Sequence, residues 1–314
     1  MRGVILTAGL GTRLRPLTDV RAKPAMPVGG EPLIRRIIRG LVRRGVRDLV
    51  LNLHHLPATI TRVLGDGADL GARVRYSWEG PRILGSAGGP RLAWPLAGAD
   101  PLLIVNGDTL TDVDVSALEA AHRASGALAT LALVRNREFD RYGGVRIEGD
   151  RVTGFVPRGP QAAGSYHFIG VQIAHAAAFD GVAPGDAANS IGGVYDALMA
   201  SRPGAVRAFV CDAPFWDVGT VADYWRTHWA WQPPSPEASS GTEVGKTGGD
   251  GGSMAESARV TRSILWDDVE VEADAVIDEC ILTDRVRIPR GATYSRAIVL
   301  RRGDAQDVIP LAIP

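Results

Sequence analysis

The chain has 314 residues, 45% of them hydrophobic, and 35 lysines and arginines balance 35 aspartates and glutamates. A net charge of zero provides no field that would attract nucleic acid or an anionic membrane, so any anionic ligand must be held locally. Two cysteines, Cys211 and Cys280, exclude a disulfide framework, and the apolar run at 4–6 is too short for a signal peptide or a membrane span. We expect a cytoplasmic protein with small-molecule ligands and with neither nucleic acid nor membrane as a partner.

The first third of the chain alternates between strand patterns and helix patterns. A short β-branched run at 3–8 ends at glycines, which predicts a buried strand, and residues 31–45 have isoleucines at helical spacing. Further strands are predicted at 48–53, 73–77 and 102–105, with a short helix at 57–64. This alternation is typical of a parallel sheet, and ligands of such sheets bind at the carboxyl ends of the strands.

The middle of the chain continues the same domain. Residues 127–209 mix strand-like runs with a helical pattern at 193–199, and another helix is predicted at 115–124. Residues 232–257 consist mainly of Pro, Ser, Gly, Thr and Glu and contain almost no large apolar residues. Such a segment cannot bury a core, which predicts a flexible linker.

Apolar residues beyond the linker recur every six positions. Leu265, Val271 and Ile277 form one series, and Val269, Ala275 and Ile281 form a second. Hexads of this kind are typical of a short left-handed parallel β-helix, although the register drifts near 285–289 and a stack of β-hairpins is the alternative. The predicted domains are 1–231, a linker at 232–257 and a β tail at 258–314.

A glycine loop follows the first strand. Glycines in Gly9-Leu10-Gly11-Thr12-Arg13-Leu14 let backbone N–H groups approach a phosphate chain. The loop lacks the third glycine of the dinucleotide fingerprint and the Gly-Lys-Ser/Thr ending of a P-loop. A nicotinamide dehydrogenase also requires an acid at the end of the second strand, where this chain has Asn52.

Together with Pro16-Leu17-Thr18 and Lys23-Pro24, the loop resembles the opening of the sugar-1-phosphate nucleotidyltransferases, whose motifs are G-x-G-T-R, P-L-T and K-P in that order. The nucleotide-binding residues that the resemblance implies here are Ala8, Gly9, Gly11, Thr12 and Arg13. It also implies that Arg13 and Lys23 are the catalytic cations. They would neutralise phosphates, because displacement at phosphorus brings two anions together.

Two acidic motifs extend the resemblance. Asn106-Gly107-Asp108 resembles the family's strand-end aspartate, and 215–220 (Phe-Trp-Asp-Val-Gly-Thr) resembles its second acidic motif. The implied role of Asp108 and Asp217 is to coordinate Mg²⁺ jointly, since magnesium prefers carboxylate and phosphate oxygens, and Asp108 also counts among the nucleotide-binding residues. The alternatives are a turn residue for Asp108 and a helix N-terminal acid for Asp217.

Further glycine-containing segments resemble the base-binding and sugar-binding parts of the family. The pair 79–81 and 84–89 (Leu-Gly-Ser-Ala-Gly-Gly) resembles the base-binding motif L-G-T-A-G, which implies that Glu79, Gly85 and Gly88 bind the nucleotide. A glycine-rich turn that opens a helix is the alternative. Gly144 and Gly170 lie where the family contacts its sugar, so they are candidate sugar-binding residues, with structural turns as the alternative.

The departures from the family pattern bear on the substrate. Residues 155–160 (Phe-Val-Pro-Arg-Gly-Pro) lack the glutamate of F-V-E-K-P, and it stays open whether Arg158 replaces the lysine. Phe168 stands where many mannose enzymes have asparagine, which resembles the N-acetylmuramate-1-phosphate uridylyltransferases. The Asp112-Val113-Asp114 stretch resembles the heptose-1-phosphate guanylyltransferases, and the hexad tail resembles the mannose-1-phosphate guanylyltransferases.

The resemblance therefore implies a doubly wound, mostly parallel, Rossmann-like α/β domain and a Mg²⁺-dependent enzyme. It would join a sugar 1-phosphate to a nucleoside triphosphate, GTP or UTP, and release pyrophosphate by in-line attack on the α-phosphate. The tail would mediate contacts in a homo-oligomer or regulation. The alternative is a catalytically silent paralogue that binds nucleotide-sugars, but the presence of Arg13, Lys23, Asp108 and Asp217 together argues against it.

Overall fold

The computed structural model describes residues 1–232, 244–246 and 251–313. The chain forms two compact units: unit 1 comprises 1–10 and 34–216, and unit 2 comprises 11–33 and 217–314. This grouping differs from the predicted domain boundaries, because residues 11–33 and the helix after Asp217 contact the C-terminal tail through their side chains.

A nine-stranded mixed sheet forms the centre of unit 1. Its strands are β1 (Gly3–Leu6), β2 (Asp48–Leu53), β3 (Arg73–Trp78), β4 (Leu102–Asn106), β5 (Ala129–Arg135), β6 (Gly144–Glu148), β7 (Arg151–Val156), β8 (Tyr166–Ala174) and β9 (Val206–Val210). Their order across the sheet is β3-β2-β1-β4-β8-β5-β9-β7-β6. The first four strands are parallel, β8 is antiparallel to β4 and β5, and β9 is parallel to β5. The predicted α/β class is confirmed, and its parallel half is the part that the alternating pattern predicted.

The helices of this region cover the sheet with apolar faces. They are α1 (Leu33–Arg43), α2 (Pro57–Leu64), α3 (Gly85–Ala97), α4 (Val115–Ser125) and α5 (Tyr195–Ser201). In α1 the side chains of Ile34 and Ile38 are fully buried, as their helical spacing predicts. The predicted helix at 193–199 begins two residues later, because Ile191 and Gly192 in the preceding turn have non-helical dihedral angles.

A three-sided parallel β coil forms the C-terminal part of unit 2. One side has the parallel strands Val244–Lys246, Ser263–Leu265, Ile281–Leu282 and Ala297–Arg302, and Ala305–Pro310 pairs antiparallel with the last of them. The second side has Ser253–Met254, Glu270–Val271 and Arg287–Ile288, and the third has Arg259–Thr261, Val276–Asp278 and Thr293–Ser295. The predicted hexads are confirmed, since Leu265, Val271 and Ile277 are all buried on successive sides.

Each turn of the coil has 17 residues, as the pairing of Ile264 with Ile281 shows. The corners are positions of left-handed backbone conformation: Arg262, Asp268, Asp274, Glu279, Arg285, Gly291 and Arg296. The spacing between corners is therefore six, six and five residues, and it then repeats. The drift of the hexad register near 285 follows from the side that has five residues instead of six.

The aromatic helix α6 (Val221–Ala230) belongs to the same unit as the coil. Tyr224 and Trp225 are buried, so the helical spacing of aromatic residues after Asp217 reflects packing. The Trp266 indole N–H of the coil donates to the Tyr224 hydroxyl at 3.0 Å. Two buried rings and the hydrogen bond between them therefore attach α6 to the coil, and the bond itself contributes about 1 kcal/mol.

The predicted linker at 232–257 falls mainly on 233–243 and 247–250, which lie outside the described residues. Within it, Val244–Lys246 and Ser253–Met254 pair with strands of the coil. Among the described residues, no helix has both the length and the apolar character to cross a membrane.

A buried histidine gives the unit 1 fold a pH dependence that can be measured. His122 is 3% exposed, its Nδ1 lies 2.8 Å from the Thr130 hydroxyl, and its ring lies 5.1 Å from that of His175. Burial, together with the charge of His175, lowers the pKa of His122 to about 4. This pKa is below the pKa of about 6.5 of a histidine in the unfolded chain, so the unfolded state takes up a proton first as the pH falls. The contribution of His122 to the free energy of unfolding is therefore fully present above about pH 6.5 and is lost as the pH falls towards 4.

We expect the free energy of unfolding to fall by about 1–2 kcal/mol between pH 7.5 and pH 5 through this group alone. Urea titrations of the wild type and of His122→Gln at both pH values measure it, and the variant should show the weaker pH dependence. Equal pH dependence in the two proteins would contradict the assignment.

Candidate functional site

Hydrogen bonds between neighbouring strand ends hold the edge of the sheet in unit 1. The Thr7 N–H donates to the Asn52 side-chain oxygen at 2.7 Å, and the Thr7 hydroxyl donates to the Asn52 carbonyl. The Gly107 N–H donates to the Leu6 carbonyl at 2.9 Å. A Cβ at Gly107 would lie 2.6 Å from that carbonyl oxygen, so only glycine permits this approach.

Asp108 follows directly after this close approach and is half-buried. The Thr109 hydroxyl lies 3.4 Å from its carboxylate. Gly170 of β8 has a φ of +75°, and a Cβ there would lie 2.6 Å from the Asn106 side-chain nitrogen. The structure thus brings Gly170 against the residue two positions before Asp108, as expected if both residues line one pocket at the strand ends.

Glu79 lies beneath the segment predicted to bind the base. It is 5% exposed, and its two carboxylate oxygens accept hydrogen bonds from the Asn52 side-chain amide at 2.6 Å and from the Leu84 N–H at 2.7 Å. Through Asn52 this bond network continues to Thr7, which precedes the glycine loop. Glu79 therefore supports the Leu84–Gly85 backbone, and its direct contact with a nucleotide stays a prediction.

Gly85 and Gly88 open α3 in close contact with another loop of unit 1. A Cβ at Gly85 would lie 2.7 Å from the Ala188 carbonyl oxygen, and one at Gly88 would lie 2.2 Å from the Asp186 carbonyl oxygen. The Ala188 carbonyl accepts hydrogen bonds from the Ala87 and Gly88 N–H groups at 2.9 and 3.2 Å. Packing against the loop therefore requires glycine at both positions, whether or not a base contacts them.

Gly144 is buried in the sheet, and a Cβ there would lie 2.2 Å from the Ser165 hydroxyl oxygen. This close packing explains the glycine structurally. Its neighbour Tyr142 stacks on His167, with ring centroids 4.2 Å apart, and the Phe215 ring lies 5.1 Å from that of His167. Tyr142, His167 and Phe215 thus form a half-buried aromatic cluster next to the predicted sugar region.

The glycine loop continues into unit 2 with a tight turn. Gly11 has a φ of +62°, and a Cβ there would lie 2.7 Å from the Thr18 methyl group. The Thr18 hydroxyl donates to the Gly11 carbonyl at 2.9 Å, and Thr12–Leu14 forms a single 3₁₀ turn. These contacts keep Thr12 and Arg13 exposed while Leu14 is buried.

The side chains of Arg13 and Asp217 both lie close to Gly219. A Cβ at Gly219 would lie 3.0 Å from an Asp217 carboxylate oxygen, 3.3 Å from one of Asp223 and 3.5 Å from a guanidinium nitrogen of Arg13. Asp223 is engaged in the capping box of α6, where it accepts from the Thr220 N–H at 2.9 Å. The structure thus brings together one predicted cation and one predicted metal ligand.

Lys23 begins a 3₁₀ turn (Lys23–Ala25) in unit 2 and is half-buried. Its Cβ lies 3.7 Å from the position that a Cβ of Gly11 would take. Both predicted cations therefore belong to the segment 11–33. Of the predicted site residues, Ala8, Gly9, Glu79, Gly85, Gly88, Asp108, Gly144 and Gly170 belong to unit 1, and Gly11, Thr12, Arg13, Lys23 and Asp217 belong to unit 2.

The chain thus combines an α/β unit, which has a glycine loop after β1 and an aspartate after β4, with a parallel β coil. The model of the nucleotidyl transferase family matches residues 2–232, and that of the GlmU-like C-terminal hexapeptide family matches residues 244–309. The chain belongs to the nucleotidyl transferase family. The second match confirms the predicted left-handed β-helical tail.

The relatives that are similar in sequence to this chain are named as nucleotidyltransferases of sugar 1-phosphates. The chain is 37% identical over 195 residues to the N-acetylmuramate alpha-1-phosphate uridylyltransferase of Neisseria meningitidis, covering 60% of this chain and 81% of that protein. It is 28% identical over 301 residues to the mannose-1-phosphate guanylyltransferase of Mycobacterium tuberculosis, covering 88% of this chain and 82% of that protein. These matches confirm the resemblance to sugar-1-phosphate nucleotidyltransferases and the enzyme class.

The fold has a solved counterpart in a putative glucose-1-phosphate thymidylyltransferase from Bacillus anthracis. The TM-score is 0.66 at 20% identity, over 75% of this chain and 96% of that one. At this identity the match supports the fold alone.

The motifs do not identify several supporting contacts. Asn52 binds Glu79 through a hydrogen bond, and Ser165 packs closely against Gly144. Thr18 belongs to the P-L-T motif, but only the structure shows its hydrogen bond to the Gly11 carbonyl. For Asn52, the sequence shows only that no acid stands at the end of the second strand. The position of Asn52, a polar residue near the end of a buried strand, is the signal that the sequence contains. The sequence does not show its partners, Thr7 and Glu79, because they come from other parts of the chain.

Glu79 provides a test of the network beneath the base segment. Glu79→Ala removes the acceptor of two buried donors, and we expect it to lower the free energy of unfolding by roughly 1–3 kcal/mol for each donor left without a partner. Glu79→Gln keeps one acceptor oxygen and should cost about half as much.

Urea unfolding measures the loss of stability in the Glu79 variants, and nucleotide affinity measures whether the base segment that Glu79 supports is changed. Glu119→Gln is the matched control, because Glu119 pairs with Arg123 at the surface of α4. A Glu79→Ala variant as stable as this control would contradict the supporting role.

Proposed function

We propose that this chain transfers a nucleotidyl group from GTP or UTP to a sugar 1-phosphate in a Mg²⁺-dependent reaction that releases pyrophosphate. An oxygen of the sugar phosphate attacks the α-phosphorus, and the bond to the pyrophosphate breaks on the opposite side. No protein nucleophile is required. The observation that carries the proposal is the arrangement of the segment 11–33, where a tight glycine turn exposes Arg13 and where Lys23 follows nearby.

Arg13 and Lys23 would offset the negative charge of the nucleoside triphosphate and the sugar 1-phosphate, which must approach each other for the reaction. Arg13 is exposed on the 3₁₀ turn after Gly11, and its guanidinium can donate two parallel hydrogen bonds to phosphate oxygens. Lys23 would act as a more compact point charge on the same phosphate chain. Backbone N–H groups at Gly9 and Gly11 would contribute further donors, because neither glycine places a side chain over them.

Asp108 and Asp217 are the residues that would hold magnesium. Their donor chemistry fits, since both offer hard carboxylate oxygens and both are half-buried after a strand or at its end. The described residues contain no group of three or more His, Cys, Asp or Glu side chains placed to hold a metal, so phosphate oxygens would have to complete the coordination. When bound, the ion would supply positive charge to the phosphates.

Two observations favour a uridylyltransferase that uses N-acetylmuramate 1-phosphate. The relative with that name is 37% identical to this chain, and Phe168 stands in place of the asparagine of many mannose enzymes. Phe168 is half-buried against the core of unit 1, and its side chain is apolar and has no hydrogen-bonding group. Such a surface suits the apolar part of a substituted sugar better than a bare hydroxyl.

A guanylyltransferase that uses mannose or heptose 1-phosphate is the second candidate. The mannose-1-phosphate guanylyltransferase relative matches 88% of this chain, so the match reaches beyond the first 232 residues. The greater coverage thus favours this candidate, whereas the higher identity of the other relative over 195 residues favours the uridylyltransferase.

A pyrophosphate-release screen distinguishes the candidates. Each nucleoside triphosphate is combined with the 1-phosphates of mannose, glucose, N-acetylglucosamine, N-acetylmuramate and heptose in the presence of Mg²⁺. We expect one pair, with UTP or GTP, to exceed the others in kcat/KM by at least tenfold, and chelation of Mg²⁺ to stop release. Pyrophosphate release with none of the pairs would favour the alternative, a silent nucleotide-sugar binder.

The metal assignment is tested with Asp108→Asn. Loss of the carboxylate should reduce kcat/KM by at least about 100-fold, because the charge stabilisation supplied by a bound metal is worth several kcal/mol. Asp112→Asn is the matched control, since Asp112 is exposed and pairs with Arg44. Full activity of Asp108→Asn would remove Asp108 from the metal site.

A further inference from the structure

A buried arginine links the proposed phosphate-binding segment to the coil. Arg21 lies two residues before Lys23 and is 7% exposed. Its Nε donates to an Asp284 carboxylate oxygen at 2.7 Å, and its Nη2 donates to Asp267 at 2.5 Å and also to the second oxygen of Asp284. The guanidinium thus binds Asp284 through two parallel hydrogen bonds, which is the strongest geometry for this pair.

The two carboxylates that bind Arg21 stand at equivalent positions in successive turns of the coil. Asp267 and Asp284 are 17 residues apart, the length of one turn, and each directly precedes a corner residue, Asp268 or Arg285. The Asp267 N–H lies 3.3 Å from an Asp284 carboxylate oxygen, which holds the two corners together. Trp266 precedes the first acid, and its ring lies 5.2 Å from the Arg21 guanidinium carbon. Arginine therefore meets carboxylates and an aromatic ring at one corner.

This corner fixes the backbone that carries Lys23. The Arg21 N–H donates to the Leu17 carbonyl at 3.2 Å, and Ala22 and Pro24 on either side of Lys23 are buried. On the other side of the turn, the His228 ring of α6 lies 3.4 Å from the Pro27 carbonyl. The segment is thus held at both ends by residues from the C-terminal part of the same unit.

We propose that Arg21 is a positioning residue for nucleotide binding, and that the acid pair Asp267 and Asp284 makes the coil part of the phosphate-binding apparatus. The proposal rests on the proposed function of Lys23 and Arg13. Loss of the ion pair removes a buried attachment of the segment 17–25 to the coil, and the position of Lys23 becomes less restrained. A displacement of about 1 Å at such a group can cost on the order of 100-fold in rate.

The test measures binding of GTP, UTP and inorganic triphosphate by calorimetry, with the full chain, at a temperature where each variant is folded by circular dichroism. We expect Arg21→Gln and Asp284→Asn each to raise the Kd at least about tenfold. The double variant should raise it little further, because the two substitutions remove the same interaction between Arg21 and Asp284. Arg21→Lys keeps the charge but not the two parallel hydrogen bonds, so it should fall between the wild type and Arg21→Gln.

Arg302→Gln is the matched control. Arg302 also connects the coil to the segment, through Asp19 at 3.7 Å, but this pair is exposed. Its removal should leave the Kd within about twofold, because exposed pairs contribute little. If Arg21→Gln unfolds, Arg21→Lys and Asp284→Asn carry the test.

Two results separate this inference from the proposed function. Variants at Arg21 and Asp284 that bind all three probes as tightly as Arg302→Gln does, with only a lower melting temperature, would overturn the positioning role. A wild-type chain that binds the nucleotides but releases no pyrophosphate with any sugar 1-phosphate would overturn the transfer reaction and leave the positioning role supported.

Discussion

The architecture of unit 1 depends on how closely two parallel strand ends approach each other. The Gly107 N–H reaches the Leu6 carbonyl at 2.9 Å only because position 107 has no side chain. This approach sets Asp108 beside the end of β1, where the glycine loop begins, and Asn52 fixes the next residue, Thr7, from the other side. Parallel strands concentrate their carboxyl ends at one edge, so a few such contacts suffice to organise a site.

Polar groups beneath this edge have to be paired, since an unsatisfied buried donor or acceptor is costly. Glu79 and Asn52 satisfy each other and, in doing so, connect the base segment to the start of the glycine loop. Close packing has the same effect elsewhere, because glycine at 85 and 88 lets α3 approach the backbone at 186–188. Several residues of the family motifs therefore support the site structurally. In our proposal, a smaller number of them contact the substrate.

The coil has a role in unit 2 that its hexads do not reveal. It contributes Asp267, Asp284 and Trp266 to the surroundings of Arg21, and the Trp266 indole also bonds to α6. A tail of this kind is more than an oligomerisation module in our proposal. It is tied to the part of the chain that has the predicted cations.

The sequence by itself determined the elements whose signals are local. Hydrophobic periodicity located the strands of the parallel half and α1, the hexads located the coil, and the motif order located the glycine loop and both acidic motifs. Tertiary structure alone decided which residues support them: Arg21 pairs with acids about 250 positions away, and Asn52 and Glu79 meet across two strands. Periodicity reports the burial of single residues, whereas a hydrogen bond between distant side chains depends on the path of the whole chain between them.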